Sequence, residues 1–240
     1  MLLVDKINIL LKKNGAELVR FPNSGLKRRK ALLNNLKINK VLDIGANVGQ
    51  YAYDIRELGY IGEIISFEPI KAIFQTLEKN SNKDSHWESE NFALGDFDGE
   101  TEINIAGNLS SSSLLEMLPS HLKSAPQSKY VGKETIAVKK LDSIFKNYFT
   151  KKDNIYIKID AQGYEKSVLD GAEKALENIS VLQIELSLIP LYLNAPIYTD
   201  MIEYLKTKGF ELYGIEPGFL DQTSGRLLQF DGIFVKNKLI

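Results

Sequence analysis

The chain has 240 residues, enough for one large domain with a substantial core, and its 44% hydrophobic and 25% charged residues are those of an ordinary globular protein. With 30 Lys and Arg against 31 Asp and Glu, the net charge of −1 supplies no whole-chain basic field to draw nucleic acid. Cysteine is absent, which excludes disulfides, thiolate metal sites and a cysteine nucleophile; two histidines argue against a multi-histidine metal site, and no apolar run reaches the length of a membrane span.

Residues 1–14, MLLVDKINILLKKN, are apolar but interrupted by Asp5, Lys6 and Asn8. They predict a short amphipathic helix with Leu3, Ile7, Leu10 and Leu11 on one face, rather than a signal peptide, whose basic region would come first. That face is expected to pack on the domain; a second subunit or a membrane surface are the other covers it could take. Gly15 and residues 21–25 read as loop. Leu26 to Leu36 predicts a second helix, with Lys27, Arg28, Arg29 and Lys30 as a solvated basic face. The organisation expected is an N-terminal helical extension over 1–38 and one domain over 39–240.

The rest of the chain is organised around Val41 to Tyr51, VLDIGANVGQY. Val41, Leu42 and Ile44 read as a buried strand, Asp43, Gly45, Ala46, Asn47 and Gly49 as a tight turn, and Gln50 to Leu58 as a helix. Strand, glycine turn and helix open a nucleotide-binding α/β unit. Gly45 and Gly49 let the backbone approach a ligand where a Cβ would clash, and the helix N-terminus offers free N–H groups to an anion. A dinucleotide fingerprint needs G-x-G-x-x-G, but Asn47 stands where the middle glycine makes room for a pyrophosphate. An acid in the strand suits a cation instead. The amino-acid half of S-adenosylmethionine carries an ammonium, which Asp43 can hold directly or through water, and a carboxylate, which the turn N–H groups can meet. Ile64 to Phe67 predicts the second strand, tipped by Glu68, a carboxylate able to accept two hydrogen bonds from a ribose diol. That role serves NAD equally. Asp43 as an Asx-turn residue and Glu68 as a helix-start acid are the purely structural alternatives.

Further along, Ile70–Glu78 reads as helix, Asn80–Asp84 as turn, and Trp87–Leu94 as a third strand. Asp98 to Glu100 signals a turn, and Thr101–Ala106 alternates like a strand added antiparallel to the main pattern. Residues 107–133, with four serines from Ser110 to Ser113 and with Pro119, are too long for a plain connection and are expected to form a lid or substrate loop. Thr135–Lys139 is a short strand, Leu141–Phe145 opens a helix, and Ile155–Ile159 is a strong central strand. A helix from Glu165 to Leu176, a strand Val181–Leu186, a helix Tyr198–Lys208, and strands Phe210–Ile215 and Leu228–Val235 complete the pattern. Strands alternating with helices imply a doubly wound, mostly parallel sheet, and the last pair an antiparallel hairpin inserted into it.

Four blocks of this pattern resemble the FkbM family of S-adenosylmethionine-dependent methyltransferases: VLDIGANVGQY at 41–51, SFEP at 66–69, NFALGDFDGE at 91–100 and IKIDAQGYEKSVLDGAEKAL at 157–176. VKKLDSIF at 138–145 and VLQIEL at 181–186 add to the match, which spans about residues 36 to 235. The resemblance implies a Rossmann-like class I fold with a seven-stranded sheet and ligands at the carboxyl ends of the strands. It also implies S-adenosylmethionine as cofactor and O-methylation of hydroxyls in glycans, glycolipids or polyketides. Asp43, Gly45, Ala46, Asn47, Gly49, Glu68, Pro69, Ala93 and Leu94 are the cofactor residues expected on this basis. The family pattern D-x-E-G-x-E departs here to Asp160-Ala161-Gln162-Gly163-Tyr164-Glu165, so Gln162 replaces a carboxylate.

Methylating an alcohol calls for a positioned base. Lys158 and Asp160 share a strand face, and Asp160 is the first candidate for base or substrate-orienting acid. Lys158, if neutral, is a base; if charged, it pairs with Asp160 or Glu185. Glu185 is the second catalytic carboxylate in reach, and Glu165 can stabilise a helix start. The alternative for this group is a buried Lys–carboxylate network without chemistry. His121 can swing over the pocket as another base, Ser112 can touch a sugar, and Gln162 and Glu165 complete the substrate candidates. Asp160 and Glu185 would suit a divalent metal, but no third ligand is evident, and none is expected. The partner expected is a small-molecule or glycan acceptor in the cytoplasm, not nucleic acid, with a homo-oligomer through the N-terminal helices as the further option. Competing readings are a non-catalytic cofactor- or glycan-binding module, hinted at by Gln162, and an NAD-dependent oxidoreductase, weakened by Asn47.

Overall fold

The computed structural model describes residues 3–18 and 21–240, leaving aside the side chains of Leu3 and Asp5. Helix α1 (Leu3–Lys12) occupies the expected amphipathic segment, whose first two residues lie outside the description. Of the face expected to pack on the domain, Ile7 and Leu10 are 36% and 65% exposed and Leu11 is half-buried. The segment folds on itself. The Asn8 amide donates to the Leu18 carbonyl at 2.9 Å, and the Leu18 N–H donates back to Asn8 Oδ1 at 2.7 Å. Helix α2 (Ser24–Asn35) is capped by Asn23, whose Oδ1 accepts from the Leu26 N–H at 2.9 Å. It buries Leu32 and Leu33 in the same core layer as Val41 and Ile55.

The alternation expected from the sequence then follows. In order come β1 (Lys40–Ile44), α3 (Gln50–Glu57), β2 (Glu63–Phe67), α4 (Lys71–Ser81), β3 (Trp87–Glu90), β4 (Ala93–Leu94) and β5 (Gly99–Ala106). After these come α5 (Pro119–Ser124), β6 (Tyr130–Lys139), α6 (Leu141–Tyr148), β7 (Ile155–Ile159) and α7 (Glu165–Asp170). The chain closes with β8 (Ile179–Ser187), α8 (Tyr198–Thr207), β9 (Phe210–Pro217) and β10 (Gln229–Lys236). The main sheet has seven strands in the order β3-β2-β1-β7-β8-β10-β9. The first five of these are mutually parallel, and β10 runs antiparallel between β8 and β9. This is the mostly parallel seven-stranded sheet with an inserted hairpin that the class I resemblance implies. β7, apolar at every position except Lys158, lies at its centre, buried between layers on both faces. From β1 the chain moves outward to β2 and β3, then returns to β7 on the other side of β1. The crevice at the carboxyl ends of β1 and β7 is therefore the topological switch point, where ligands of such sheets bind.

Four expectations change. The single strand expected over 87–94 breaks at Asn91, whose amide donates to the carbonyls of Glu68 and Pro69, both at 2.9 Å, and turns the chain out of the main sheet. β4 and β5 belong to a second sheet, β4-β6-β5, so β5 is not an addition to the first. β6 begins at Tyr130, five residues earlier than the expected strand, because it pairs along the whole of β5. This small sheet rests Ile103, Ile136 and Val138 on Ile70 and Ile73 at the start of α4. Finally, the helix expected to reach Leu176 stops at Asp170. A Cβ on Gly171 would lie 1.8 Å from the Gly95 carbonyl oxygen, so the backbones touch there. Asp142 then accepts the N–H groups of Lys174 and Ala175, at 3.0 and 2.8 Å, and caps a separate short turn.

Close backbone approach also explains Gly45. It has φ +73°, and a Cβ there would sit 1.9 Å from the Asp160 carbonyl oxygen; Gly59 has φ +88° with nothing within 4 Å. Gly59→Ala is expected to cost about 1–2 kcal/mol, the left-handed penalty alone. Gly45→Ala should lose roughly 3 kcal/mol or more, because β1 and β7 must separate. Urea unfolding of the two variants checks this; equal losses would show that crowding at the β1–β7 edge is not the constraint.

Candidate active site

The switch-point crevice is a cavity of ≈ 350 Å³, a size suited to a nucleoside-sized ligand. Phe67, Ile70, Ile73, Leu94 and Ile103 wall one end, with Glu68 at its rim. Arg29, Asp54, Lys158, Asp160 and Asp231 make the other end polar, and Leu109, Ser110, Ser112, Ser113 and Leu114 contribute the roof. Part of the long 107–133 excursion thus does reach the cavity, although the excursion also holds α5 and the first residues of β6.

Of the expected cofactor residues, Gly45, Ala46, Asn47, Glu68, Pro69, Ala93 and Leu94 line the cavity. Gly49 does not: it has φ +94°, and a Cβ there would strike the Trp87 ring at 2.5 Å. Both turn glycines make room for the protein's own groups. The turn also spends its donors internally. The N–H groups of Gly45 and Ala46 both reach the Phe67 carbonyl at 3.0 Å, and that of Gly49 reaches the Ala46 carbonyl at 2.8 Å. The Asn47 N–H donates to Glu68 Oε2 at 3.0 Å, and the Val48 N–H to Asn47 Oδ1 at 2.8 Å. The other Glu68 oxygen accepts from the Ile70 N–H at 2.9 Å. Each Glu68 oxygen keeps a lone pair for a further donor. Burial pushes its pKa up to about 7 against the pull of these two N–H groups.

Beneath the turn runs a row of polar side chains in register across four strands: Ser66, Asp43, Lys158 and Gln183. Asp43 is 0% exposed and lies behind the cavity wall. Neither of its oxygens has a hydrogen-bond donor among the described residues, and its charged partner is Lys158, 3.5 Å away. Burial raises the Asp43 pKa and Lys158 pulls it back. Lys158 also stands 3.4 Å from Asp160 Oδ2 and 3.4 Å from the Gly45 carbonyl. Burial works against its charge, but Asp160, Asp43 and Asp231 outweigh that and hold its pKa above the usual lysine value. Its neighbours thus favour the charged form, and its ion pair is with Asp160 rather than Glu185.

Asp160 is the expected acid that the structure leaves accessible, its side chain 34% exposed at the cavity. Gln162, in the left-handed region at φ 51°, donates its amide to Asp160 Oδ1 at 2.7 Å and to Glu185 Oε2 at 3.0 Å. Its carbonyl oxygen accepts from the Tyr192 hydroxyl at 2.7 Å. Glu185 also accepts from Gln229 at 2.7 Å, does not line the cavity, and is held well above the usual carboxylate range by burial and by Asp160. Glu165 is likewise outside the cavity. It accepts the N–H groups of Ala161 and Gly163, at 3.0 and 3.1 Å, and so shapes the turn that leads into α7. Burial pushes its pKa up to about 7.

His121 does not swing over the pocket. It is 2% exposed on α5, with its ring centroid 5.3 Å from that of Tyr192 and 5.2 Å from that of Phe219. Burial lowers its pKa to about 4, and its Nδ1 has no partner among the described residues. Ser112 lines the cavity, but its hydroxyl is committed to the backbone: it donates to the Leu109 carbonyl at 2.7 Å and accepts the Ala106 N–H at 3.0 Å.

Sequence reasoning missed Arg29, Gln183 and Asp231. Arg29 belongs to the basic run expected to be solvated, yet it lines the cavity with its charge 5.1 Å over the Tyr51 ring. The available signal was spacing: Arg29 lies three and four residues before the buried Leu32 and Leu33, on their face of α2. Gln183 was visible as a polar residue inside an apolar strand, two before Glu185. Asp231 was not visible, because it reaches the site only through the β8–β10 register that sets it beside Glu185.

The residues present fit S-adenosylmethionine: an apolar slot for a purine, Glu68 with free lone pairs for a ribose diol, and a polar end with acids and an arginine for an amino acid. A family model described as "Methyltransferase FkbM domain" matches residues 43–212. No curated protein gives a significant sequence match. Among solved structures, the chain resembles methyltransferase FkbM from Methylobacillus flagellatus KT. The TM-score is 0.51 at 17% identity over 81% of this chain and 43% of that one, so the chain spans less than half of that protein's length. That likeness is one of fold. Weaker likenesses are to magnesium protoporphyrin IX methyltransferase from Synechocystis PCC 6803 with bound SAM (TM-score 0.48, 10% identity, 98% and 85% of the two chains) and to M. capricolum TrmK with S-adenosylhomocysteine (0.48, 10%, 91% and 70%).

Two pH dependences follow. Ribose hydroxyls donate best to an ionised Glu68, so S-adenosylhomocysteine should bind more tightly as pH rises through about 7. Glu68→Gln should weaken binding about tenfold and flatten that trend in calorimetric titrations; an unchanged pH trend would remove Glu68 from the contact. His121, whose folded pKa is about 4 against an ordinary 6.5, takes up its proton more readily when unfolded. Stability is therefore lost as pH falls from about 6.5 to 4, by roughly 2–3 kcal/mol. Glu68 and Glu165, with raised pKa values, act in the opposite sense between about 4.5 and 7. Melting curves of His121→Phe against wild type isolate the histidine's share, and the variant should lose less stability on acidification.

Proposed function

The chain belongs to the FkbM methyltransferase family, and from that premise we propose that it transfers a methyl group to a hydroxyl oxygen, of a sugar in a glycan, a glycolipid or a related natural product. S-adenosylmethionine is the cofactor; when bound, it supplies a methyl group carried on a positively charged sulfur. Methyl transfer to oxygen is an in-line displacement, so the protein's work is to fix the acceptor oxygen, relieve it of its proton and keep water out. Asp160 carries this reading. It is the accessible carboxylate at the end of the central strand, in the same cavity as Glu68, with one oxygen fixed by Gln162 and the other facing Lys158. Asp160 accepts the acceptor's hydroxyl hydrogen and takes its proton as the new bond forms. Lys158 and Gln162 hold the carboxylate in place. The roof residues Leu109 and Leu114 exclude water, while Ser113, whose hydroxyl donates to the Gln162 carbonyl at 2.7 Å, ties the roof to the carboxylate.

A neutral, hydroxyl-rich acceptor suits the Asp160 carboxylate better than a phosphate-bearing one, whose negative charge it would repel. The balanced net charge of −1 also speaks against nucleic acid. The setting proposed is the cytoplasm, in keeping with a chain without cysteine; among the described residues no helix is long and apolar enough to cross a membrane.

Incubation with isotopically labelled methyl donor and a panel of glycan and glycolipid acceptors tests the reading. The expected product carries the label on oxygen; label on nitrogen or carbon would overturn it. With an acceptor in hand, Asp160→Asn should lower kcat at least about 100-fold while leaving the affinity for S-adenosylhomocysteine within about threefold. Undiminished turnover would take Asp160 out of the mechanism.

A further inference from the structure

The cofactor's amino-acid end brings one carboxylate into the cavity, and a carboxylate drawn out of water needs hydrogen-bond donors. The glycine turn, the first place to look, has none to offer: the N–H groups of Gly45, Ala46, Asn47, Val48 and Gly49 are all taken by Phe67, Glu68, Asn47 and Ala46. Two cationic side chains line the cavity, Arg29 and Lys158. Lys158 is already shared between Asp43 at 3.5 Å and Asp160 at 3.4 Å.

Arg29 is differently placed. A guanidinium has five N–H donors. Among the described residues this one makes a single hydrogen bond, from Nη2 to Glu216 at 2.5 Å, so that Nη1 donates to no protein group. The guanidinium lies 5.1 Å over the Tyr51 ring. Beside it, Gln50 and Tyr51 line the cavity from the first turn of α3, which has no side-chain cap, so its N–H groups add a positive partial charge.

We infer that Arg29, together with the uncapped start of α3, holds the carboxylate of the cofactor's amino-acid moiety in place of the glycine turn. The ammonium of the same moiety then faces Asp231, a carboxylate that borders this end of the cavity. Recognition of the amino acid thus comes from α2, ahead of the nucleotide-binding unit, and recognition of the nucleoside from the unit itself.

The inference rests on S-adenosylmethionine as the cofactor, and a pair of ligands separates the two questions. S-adenosylhomocysteine carries the amino acid; 5′-methylthioadenosine is the same nucleoside without it. Calorimetric titration of Arg29→Gln should show about 10- to 100-fold weaker binding of S-adenosylhomocysteine and a change within about threefold for methylthioadenosine. Glu216→Gln, which breaks the pair but keeps the arginine, should retain S-adenosylhomocysteine to within about threefold. Wild-type affinity for S-adenosylhomocysteine in Arg29→Gln overturns the inference. So does an equal loss for both ligands, or a Glu216→Gln variant as impaired as Arg29→Gln, since either would mean that the arginine only supports packing. Wild-type protein that bound neither nucleoside would overturn the cofactor reading, and this inference with it.

Discussion

One lysine in the centre of an apolar sheet governs the geometry of this site. β7 is apolar except at Lys158, and the side chain from that position is surrounded by Asp43 below and Asp160 above. A buried ammonium without partners would be costly, and so would either carboxylate alone. The pairing makes the three groups interdependent. Removing Lys158 leaves two uncompensated carboxylates at the strand ends, and breaking a buried pair in this way typically costs about 3–5 kcal/mol; removing either aspartate leaves the lysine a single partner. The same pairing sets the two acids apart. Asp43 is closed off behind the wall, while Asp160, on the open side, is the carboxylate that the proposed mechanism presents to an incoming hydroxyl.

The glycine turn above this row acts through shape. Its N–H groups close onto Phe67, Glu68 and the turn itself, so it is a finished piece of structure before any ligand arrives. The crowding at Gly45 and Gly49 comes from the Asp160 backbone and the Trp87 ring. A turn built this way sets the floor of the cavity and orients Glu68 by the Asn47 N–H. It leaves the charged end of a ligand to be met by side chains from elsewhere.

Gln162 joins the remaining parts. Its amide nitrogen faces two carboxylates, Asp160 and Glu185, its carbonyl oxygen faces the Tyr192 hydroxyl, and its backbone carbonyl accepts Ser113 from the roof. A glutamate here, as the family pattern has it, would place a third carboxylate where this chain needs two donors. The amide satisfies both neighbours without a further proton or cation. The departure from the pattern is therefore internally consistent, and it links the roof, the central strand and β8 through a single side chain. Tyr192 in turn packs against His121, so the helix on the far side of the roof is tied to the same centre.

The succession of strands and helices, the central position of 155–159, the closing hairpin and the acids at the ends of β1, β2 and β7 were all legible in the sequence, because apolar runs of two periodicities and acids at their ends are local properties. The group of Lys158 and Asp160 was legible too, since alternation along one strand puts them on one face. What could not be read was where a pairing partner lies. The break at Asn91, the second sheet, the early start of β6 and the approach of Asp231 to Glu185 depend on hydrogen bonds between segments far apart in the chain. Arg29 shows the difference most clearly. Its sequence neighbours are basic and suggest solvent, but α2 packs Leu32 and Leu33 inward and carries Arg29 with them over Tyr51. The sequence by itself determined which residues have the chemistry and which strand ends bear it. Only the tertiary structure decided which charges meet, which donors are already spent and which side chain is left facing the cavity, because those outcomes depend on distances between segments that no local pattern encodes.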